Sequence, residues 1–315
     1  MKPLLVAGHG IRLSNAQDEL MKVLDMGLPV VTTFNGFDLV PTDHPCFVGR
    51  IGTVGTPGGN YALNNCDLLI CVGTRNNIRQ IGYDWDNFAP KALKVVVDID
   101  PAELFKPTIR SLPIYQDAKS WLKSFRWQVD FSWLKELKDY NETNQIELTT
   151  PLKFIHDLTK DLPNNAIVVC GNGTACVAMF QSGVVKKGQR IFWNSGTAAM
   201  GYCLPAAIGA AVASGREVIC ITGDGSIMMN LQELQTIKHY KLPIKIYVLN
   251  NHGYRSLELT QENYFNSDYI GCNEVSGVSF PDFNKIAQAF GVEINVVDIG
   301  NTYTIQKFNY ARLGG

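Results

Sequence analysis

The sequence contains no apolar run of the roughly 18–20 residues that a membrane-spanning helix requires. Met1-Lys2 leads straight into a short β-like run rather than into a charged and then apolar leader, so no signal peptide is expected. None of the eight cysteines forms a C-x-x-C pair, which removes the usual zinc and thioredoxin-like signatures. Cys71, Cys170 and Cys220 lie in apolar runs and read as buried reduced thiols of a cytoplasmic protein. An excess of charge is also missing. With 28 Lys and Arg against 29 Asp and Glu, the net charge of −1 gives no electrostatic ground for nucleic acid or an anionic membrane as partner. Gly8-His9-Gly10 lacks the third glycine of the G-x-G-x-x-G fingerprint, which disfavours an NAD(P) dehydrogenase. What is present is a chain of 315 residues, 46% hydrophobic and 18% charged, with room for two globular domains.

Short β-branched runs alternate with helix-compatible stretches along the whole length. Residues 3–7, 29–33, 67–73 and 94–99 read as strands, the third continuous enough in apolar character for a buried parallel strand. A helix is expected at about residues 14–26, with Ser14 and Gln17 as a capping box. Residues 35–59 read as irregular. In the second half, residues 151–161 and 281–290 read as helices and 166–170, 190–194 and 292–297 as strands. Residues 126–150, with Trp133, Leu134 and Leu137, read as a linker carrying surface helices rather than core. The pattern predicts an α/β fold, two Rossmann-like domains with mostly parallel sheets, at residues 1–125 and 151–315.

The densest chemistry lies between Gly223 and Gly253. An apolar run at 218–222 meets Gly223-Asp224-Gly225-Ser226, and helical periodicity follows at Met228, Leu231, Leu234, Ile237 and Tyr240. After Pro243 a second apolar run, 244–249, closes on Asn250-Asn251. A right-handed crossover makes these two strands parallel neighbours, so Asp224 and Asn251, 27 residues apart, emerge on one sheet edge. There the Asp224 carboxylate, the Asn251 amide oxygen and the Gly253 carbonyl can converge as hard oxygen ligands on Mg²⁺, an ion that shares its remaining positions with phosphate oxygens. Gly225 and Ser226 open a helix, where free N–H groups and the macrodipole favour a diphosphate. GDG alone reads as a strand-to-helix turn, and NN alone as a polar strand end. Both at this spacing favour the metal site.

At these residues the chain resembles the thiamine diphosphate (ThDP) enzymes of the acetolactate synthase and pyruvate decarboxylase type. The resemblance implies that Asp224, Asn251 and the Gly253 carbonyl hold the metal that anchors the cofactor's diphosphate. A second stretch, Ser195 to Ala210, resembles the family's SGxxxMGxxLPAAIGA segment. It implies that Met200 wedges beneath the cofactor and bends it into a V. Thr197 and the backbone at Ala198 and Met200 are the implied ring contacts, and an ordinary gap-filling core methionine is the alternative for Met200. Gly171-Asn172-Gly173, Gly223 and Tyr254 complete the candidate cofactor contacts. Residues 252–265 resemble the subgroup reading NxGYxSIRxTQxxYF. Tyr254, Gln261 and Glu262 then border the substrate pocket, although a solvated helix face accounts equally for the last two. Acetolactate synthases usually carry a tryptophan soon after the corresponding glutamine, whereas here Glu262 follows Gln261, so the resemblance does not carry acetolactate formation at this position.

The phrases AGHGIRLSNA, CDLLICVGTRNN and VVDIDPAEL resemble the central domain of the same family. That domain holds FAD in acetolactate synthase, and an ADP-like molecule or nothing in many relatives. Gly8, Gly10, Thr74, Arg75, Asp98 and Asp100 are the residues at which such a ligand would sit, and a domain that kept only its fold is the other reading. The implied chemistry is 2-oxo acid decarboxylation to an enamine–ThDP intermediate followed by carboligation, the work of a transferase or lyase, in a homodimer. The family's first domain binds the pyrimidine and supplies the Glu that activates it. The matched phrases begin in the central domain, and residues 300–315 resemble no family segment. The chain is therefore expected to be a fragment or pseudogene product, or a split subunit completed by a pyrimidine-domain polypeptide. A catalytically inactive ThDP- or nucleotide-binding module is the alternative.

Overall fold

The computed structural model describes residues 1–127 and 131–300. Residues 301–315, expected to resemble no family segment, and three residues of the expected linker lie outside the described residues. The chain forms two compact units that divide between Glu147 and Leu148.

The first unit is built on six strands, β1 (Pro3–Ala7), β2 (Val30–Thr32), β3 (Phe47–Arg50), β4 (Leu68–Val72), β5 (Leu93–Asp98) and β6 (Leu112–Tyr115). They lie in the order β3-β2-β1-β4-β5-β6, and every pairing is parallel. This is the doubly wound dinucleotide-fold order, and the chain reverses direction across the sheet between β1 and β4. Those two strands are buried over their whole lengths, as their uninterrupted apolar sequences require. The edge strands β3 and β6 have no counterpart in the sequence reading, because β3 lies in a Gly- and Pro-rich stretch and β6 carries a proline.

Two local expectations fail here. The capping box does not form: the helix is Gln17–Leu24, its N-cap is Ala16, and the Ser14 hydroxyl donates to Ile11 O instead. Asn15, at φ 52°, turns the chain between two short helices. The helix Phe131–Thr143 is also not a surface element. Trp133, Leu134 and Leu137 are buried in the first unit's core, and the Trp133 indole donates to Pro3 O at 3.0 Å. Leu137 alone contributes about 1.5–3 kcal/mol by leaving water, so this helix belongs to the core of the β1 sheet.

The second unit carries β7 (Ile167–Cys170), β8 (Arg190–Phe192), β9 (Val218–Gly223), β10 (Ile244–Asn250) and β11 (Ile294–Asp298), in the order β11-β10-β9-β7-β8, again all parallel. Here the strand order reverses between β7 and β9. The expected single helix after β9 is broken into Asp224–Ile227, a 3₁₀ segment Met228–Glu233 and Leu234–Tyr240, with Asn230 non-helical at φ −139°. All eight cysteines are buried. No helix among the described residues is long and apolar enough to cross a membrane.

Candidate active site at the second sheet's switch point

Ligands of open α/β sheets bind beyond the strand C-termini where strand order reverses. In the second unit that place is bounded by Gly171 after β7 and Asp224 after β9. Pairing of Thr222 with Val248 and Gly223 with Leu249 brings β10's end alongside. Asp224 and Asn251 are thus brought together as the crossover argument required. Asp224 is 3% exposed and Asn251 7%.

The Asp224 carboxylate is aimed by neutral donors. Its Oδ1 accepts from Gly225 N at 2.7 Å, and its Oδ2 from Asn251 N at 3.1 Å and Gly253 N at 3.3 Å. Burial pushes the carboxyl above the ordinary carboxylate value, while these N–H groups pull it down. The Asn251 amide presents one end to Asp224 Oδ2 at 3.2 Å and to the Gly253 carbonyl oxygen at 2.8 Å. A nitrogen at that end donates to both oxygens. An oxygen there brings three oxygens together, an arrangement that a bound cation would stabilise. Carboxylate, amide and carbonyl oxygens are the donor set of a hard divalent ion, and its charge would offset the desolvation of Asp224. The residues present therefore fit such an ion.

The turn at Gly225 offers a diphosphate less than its place at a helix start suggests. The N–H of Gly225 is taken up by Asp224 Oδ1. The helix that starts there runs only from Asp224 to Ile227, too short for a sizeable macrodipole. What remains at the turn is bare backbone: a Cβ on Gly223 would meet nothing within 4 Å, and one on Gly173 only Ser256 Oγ at 3.8 Å. Both glycines leave space at which a ligand can approach the main chain.

The other candidates form one mesh. Asn172 Nδ2 donates to Ala198 O, holding Ala198 at φ 53°. Gly201 N donates to Ser226 Oγ at 3.0 Å, and Ser226 Oγ reaches Asn172 Oδ1 at 3.5 Å. Thr197 N donates to Asn194 Oδ1 at 3.2 Å. Gly171 N donates to Ile221 O at 2.7 Å, fixing the exit of β7. Met200 is 38% exposed, which removes the reading of a core gap-filler. Tyr254 lies against Gly225, whose Cβ would come within 2.2 Å of the ring, and meets Phe280 edge-on at 5.6 Å. Gln261 and Glu262 are engaged with their own surroundings. Gln261 bonds to Ile270 through both ends of its amide, and Glu262 pairs with Arg255 at 2.7 Å.

Asn230 was not singled out from sequence. Its Nδ2 donates to Gly201 O at 2.9 Å, which is why the helix breaks there. Its one signal was an asparagine, a poor helix former, in the middle of a helical stripe.

The first unit's switch point is different. A Cβ on Gly8 would stand 2.2 Å from Gly73 O, and one on Gly10 2.6 Å from Gly73 Cα. These glycines are required because the two loops cross in contact, so they carry no argument for FAD or ADP. Thr74 Oγ1 bonds Gln80 at 3.1 Å, and Arg75 pairs with Glu103 at 3.2 Å. Asp98 accepts from Ile99 N and Asp100 N, and Asp100 caps the helix Pro101–Leu104.

Comparison with known proteins finds a family match in each half of the chain. Residues 171–308 match the family model of the thiamine pyrophosphate enzyme C-terminal TPP binding domain, and residues 1–125 match that of the thiamine pyrophosphate enzyme central domain. The first match runs through residues 300–308, which corrects the expectation that residues 300–315 resemble no family segment. The chain is 33% identical over 313 residues to a probable acetolactate synthase large subunit of Methanocaldococcus jannaschii, covering 93% of this chain and 52% of that protein. It is 34% identical over 317 residues to the acetolactate synthase large subunit of Cyanidium caldarium, covering 92% and 52%. It is 32% identical over 300 residues to the acetolactate synthase isozyme 2 large subunit of Escherichia coli, covering 92% and 54%. The chain spans about half the length of these curated relatives. With two domain matches in succession and relatives a third identical across nearly its whole length, the chain belongs to the thiamine pyrophosphate enzyme family, of which it carries the central and the C-terminal TPP-binding domains.

Proposed function

We propose that this chain holds the diphosphate of thiamine diphosphate through a divalent cation, Mg²⁺, bound by Asp224, Asn251 and the Gly253 carbonyl. The bound cofactor would serve 2-oxo acid decarboxylation and carboligation of the acetolactate synthase type. The observation that carries the reading is the meeting of three oxygen-bearing groups at the ends of β9 and β10, around a buried carboxylate aimed by neutral donors. When bound, thiamine diphosphate supplies the stabilisation of the acyl carbanion, and the protein supplies binding, orientation and exclusion of water.

The chain's own residues divide that work. Asp224 gives the cation its formal negative charge. Asn251, with its N–H on the Asp224 carboxylate and its amide beside the Gly253 carbonyl, orders the remaining oxygens. Asn172 fixes the Ala198 carbonyl, the backbone group assigned to the ring. Met200 stands out beside it as the wedge, and the Tyr254 ring closes over the turn at Gly225. A second copy, or a polypeptide with a pyrimidine-binding domain, is the partner this reading calls for.

Calorimetric titration of thiamine diphosphate with and without Mg²⁺ tests it. Binding should need the ion, and Asp224→Ala should weaken it at least 100-fold, since neutral oxygens alone hold a hard dication poorly beside a diphosphate. Equal binding by the wild type and Asp224→Ala would overturn the cation assignment. Tight binding with no turnover of pyruvate in the presence of a pyrimidine-domain partner would mark the chain as a binding module rather than part of an enzyme.

A further inference from the structure

Gly253 is held from several sides. Its N–H donates to Asp224 Oδ2 at 3.3 Å, and the next N–H, of Tyr254, donates to the Cys272 carbonyl at 2.7 Å. A Cβ on Gly253 would stand 2.6 Å from that same carbonyl oxygen. The place of residue 272 therefore decides where the Gly253 carbonyl points.

Residue 272 is in turn fixed from the helix Arg255–Tyr264. Gln261 Nε2 donates to Ile270 O at 3.1 Å. Its Oε1 accepts from Ile270 N at 3.1 Å and from the Cys272 thiol at 3.2 Å. One turn earlier, Glu258, 7% exposed, accepts from Asn273 Nδ2 at 2.8 Å and from Arg255 Nη1 at 3.1 Å. The helix starts just after Gly253, so helix, loop and glycine form a closed ring of contacts.

We propose that Gln261, backed by Glu258, is a positioning residue that fixes the Gly253 carbonyl and so makes the site select a small divalent ion over a larger one. The inference rests on the reading of Asp224, Asn251 and Gly253 as cation ligands. Mg²⁺ demands oxygens at about 2.0–2.1 Å in near-ideal octahedral geometry, whereas Ca²⁺ accepts about 2.3–2.6 Å and irregular shapes. A carbonyl pinned through residue 272 cannot retreat by the few tenths of an ångström that the larger ion needs. Loosening the pin removes the advantage of the smaller one.

The test uses the full chain and thiamine diphosphate, titrated calorimetrically with Mg²⁺ or with Ca²⁺, for the wild type, Gln261→Met and Glu258→Gln. Gln261→Met keeps the length of the side chain and removes its hydrogen bonds. It should weaken Mg²⁺-dependent binding about tenfold, the low end for outer-sphere partners of a metal, and Ca²⁺-dependent binding by clearly less. Glu258→Gln should shift the Mg²⁺ to Ca²⁺ ratio in the same direction by a smaller factor. If Gln261→Met does not fold by circular dichroism, the ratio for Glu258→Gln decides. A ratio equal to that of the wild type, with both ions weakened alike or not at all, would overturn the positioning role. Failure of the wild type to bind with either ion would instead overturn the cation site itself, and this inference with it.

Discussion

The two sheets obey one topological rule and use it in opposite ways. Each reverses strand order once, between β1 and β4 in the first and between β7 and β9 in the second. At the first reversal the strand-end loops meet backbone to backbone, with Gly8, Gly10 and Gly73 accommodating contacts that a single methyl group would forbid. At the second, Gly225 and Gly253 are covered by Tyr254 and Cys272, but Gly223 faces open space, a Cβ on Gly173 would make only an ordinary contact with Ser256, and the strand ends carry a buried carboxylate. Glycine at a strand end is thus no sign of a ligand by itself. What separates the two cases is whether the space a side chain would take is filled by the protein.

Adding that methyl group at the first reversal should have the largest effect. Gly8→Ala brings Cβ to 2.2 Å from Gly73 O and 2.5 Å from Thr74 Cβ, both on backbone or short side chain that cannot swing away. Overpacking of this severity should destabilise the chain by about 3 kcal/mol, read as a lower urea midpoint of the first unit. A loss below about 1 kcal/mol would mean that the crevice can open, and a ligand there would regain a case.

The counterpart in the second sheet should move binding and leave stability alone. Gly223→Ala meets nothing within 4 Å, so its effect on stability should stay within about 0.5 kcal/mol. A methyl group in the space assigned to the diphosphate should nevertheless lower Mg²⁺-dependent affinity for thiamine diphosphate by about tenfold, or ~1.4 kcal/mol. Unchanged affinity would move the diphosphate away from Gly223.

The fold was legible where a strand is buried on both faces. Leu68 to Val72 and Val218 to Thr222 announce themselves because a central parallel strand has no polar side. The edge strands β3 and β6 escaped because an edge tolerates proline and glycine. The helix Phe131–Thr143 reads as a surface element because Lys, Glu, Asp and Asn are interleaved through it, and the residues that enter the core, Trp133, Leu134 and Leu137, make a stripe of little more than one turn rather than a long apolar run. At the candidate site, Asp224 and Asn251 were legible through the fixed length of a strand–helix–strand unit. The clamp formed by Gln261, Glu258 and residues 270–273 was not. It depends on where a long loop returns, and no local periodicity records that.

The smallest effect separates the strand-end aspartates themselves. Asp98 ends β5 and Asp224 follows β9, and burial raises both carboxyls while neighbouring N–H groups lower them. The difference lies in the donors. Asp98 is satisfied by the next two residues, Ile99 and Asp100, whereas Asp224 draws donors from Gly225 and from the separate loop at Asn251 and Gly253. Asp98 is therefore a local cap. Asn in its place keeps an acceptor for both N–H groups and drops the charge that burial, Glu103 and Asp100 disfavour. With its folded value raised, the stability Asp98 contributes is fully present below the ordinary carboxylate value and is lost as pH rises through the folded one. Asp98→Asn should thus gain slightly at neutral pH, by less than about 0.5 kcal/mol after solvent screening, and lose that gain in acid. Urea midpoints of the wild type and the variant measured across pH give the sign directly. Affinity for thiamine diphosphate with Mg²⁺ should not change, and a loss there would contradict the assignment of Asp98 as a local cap.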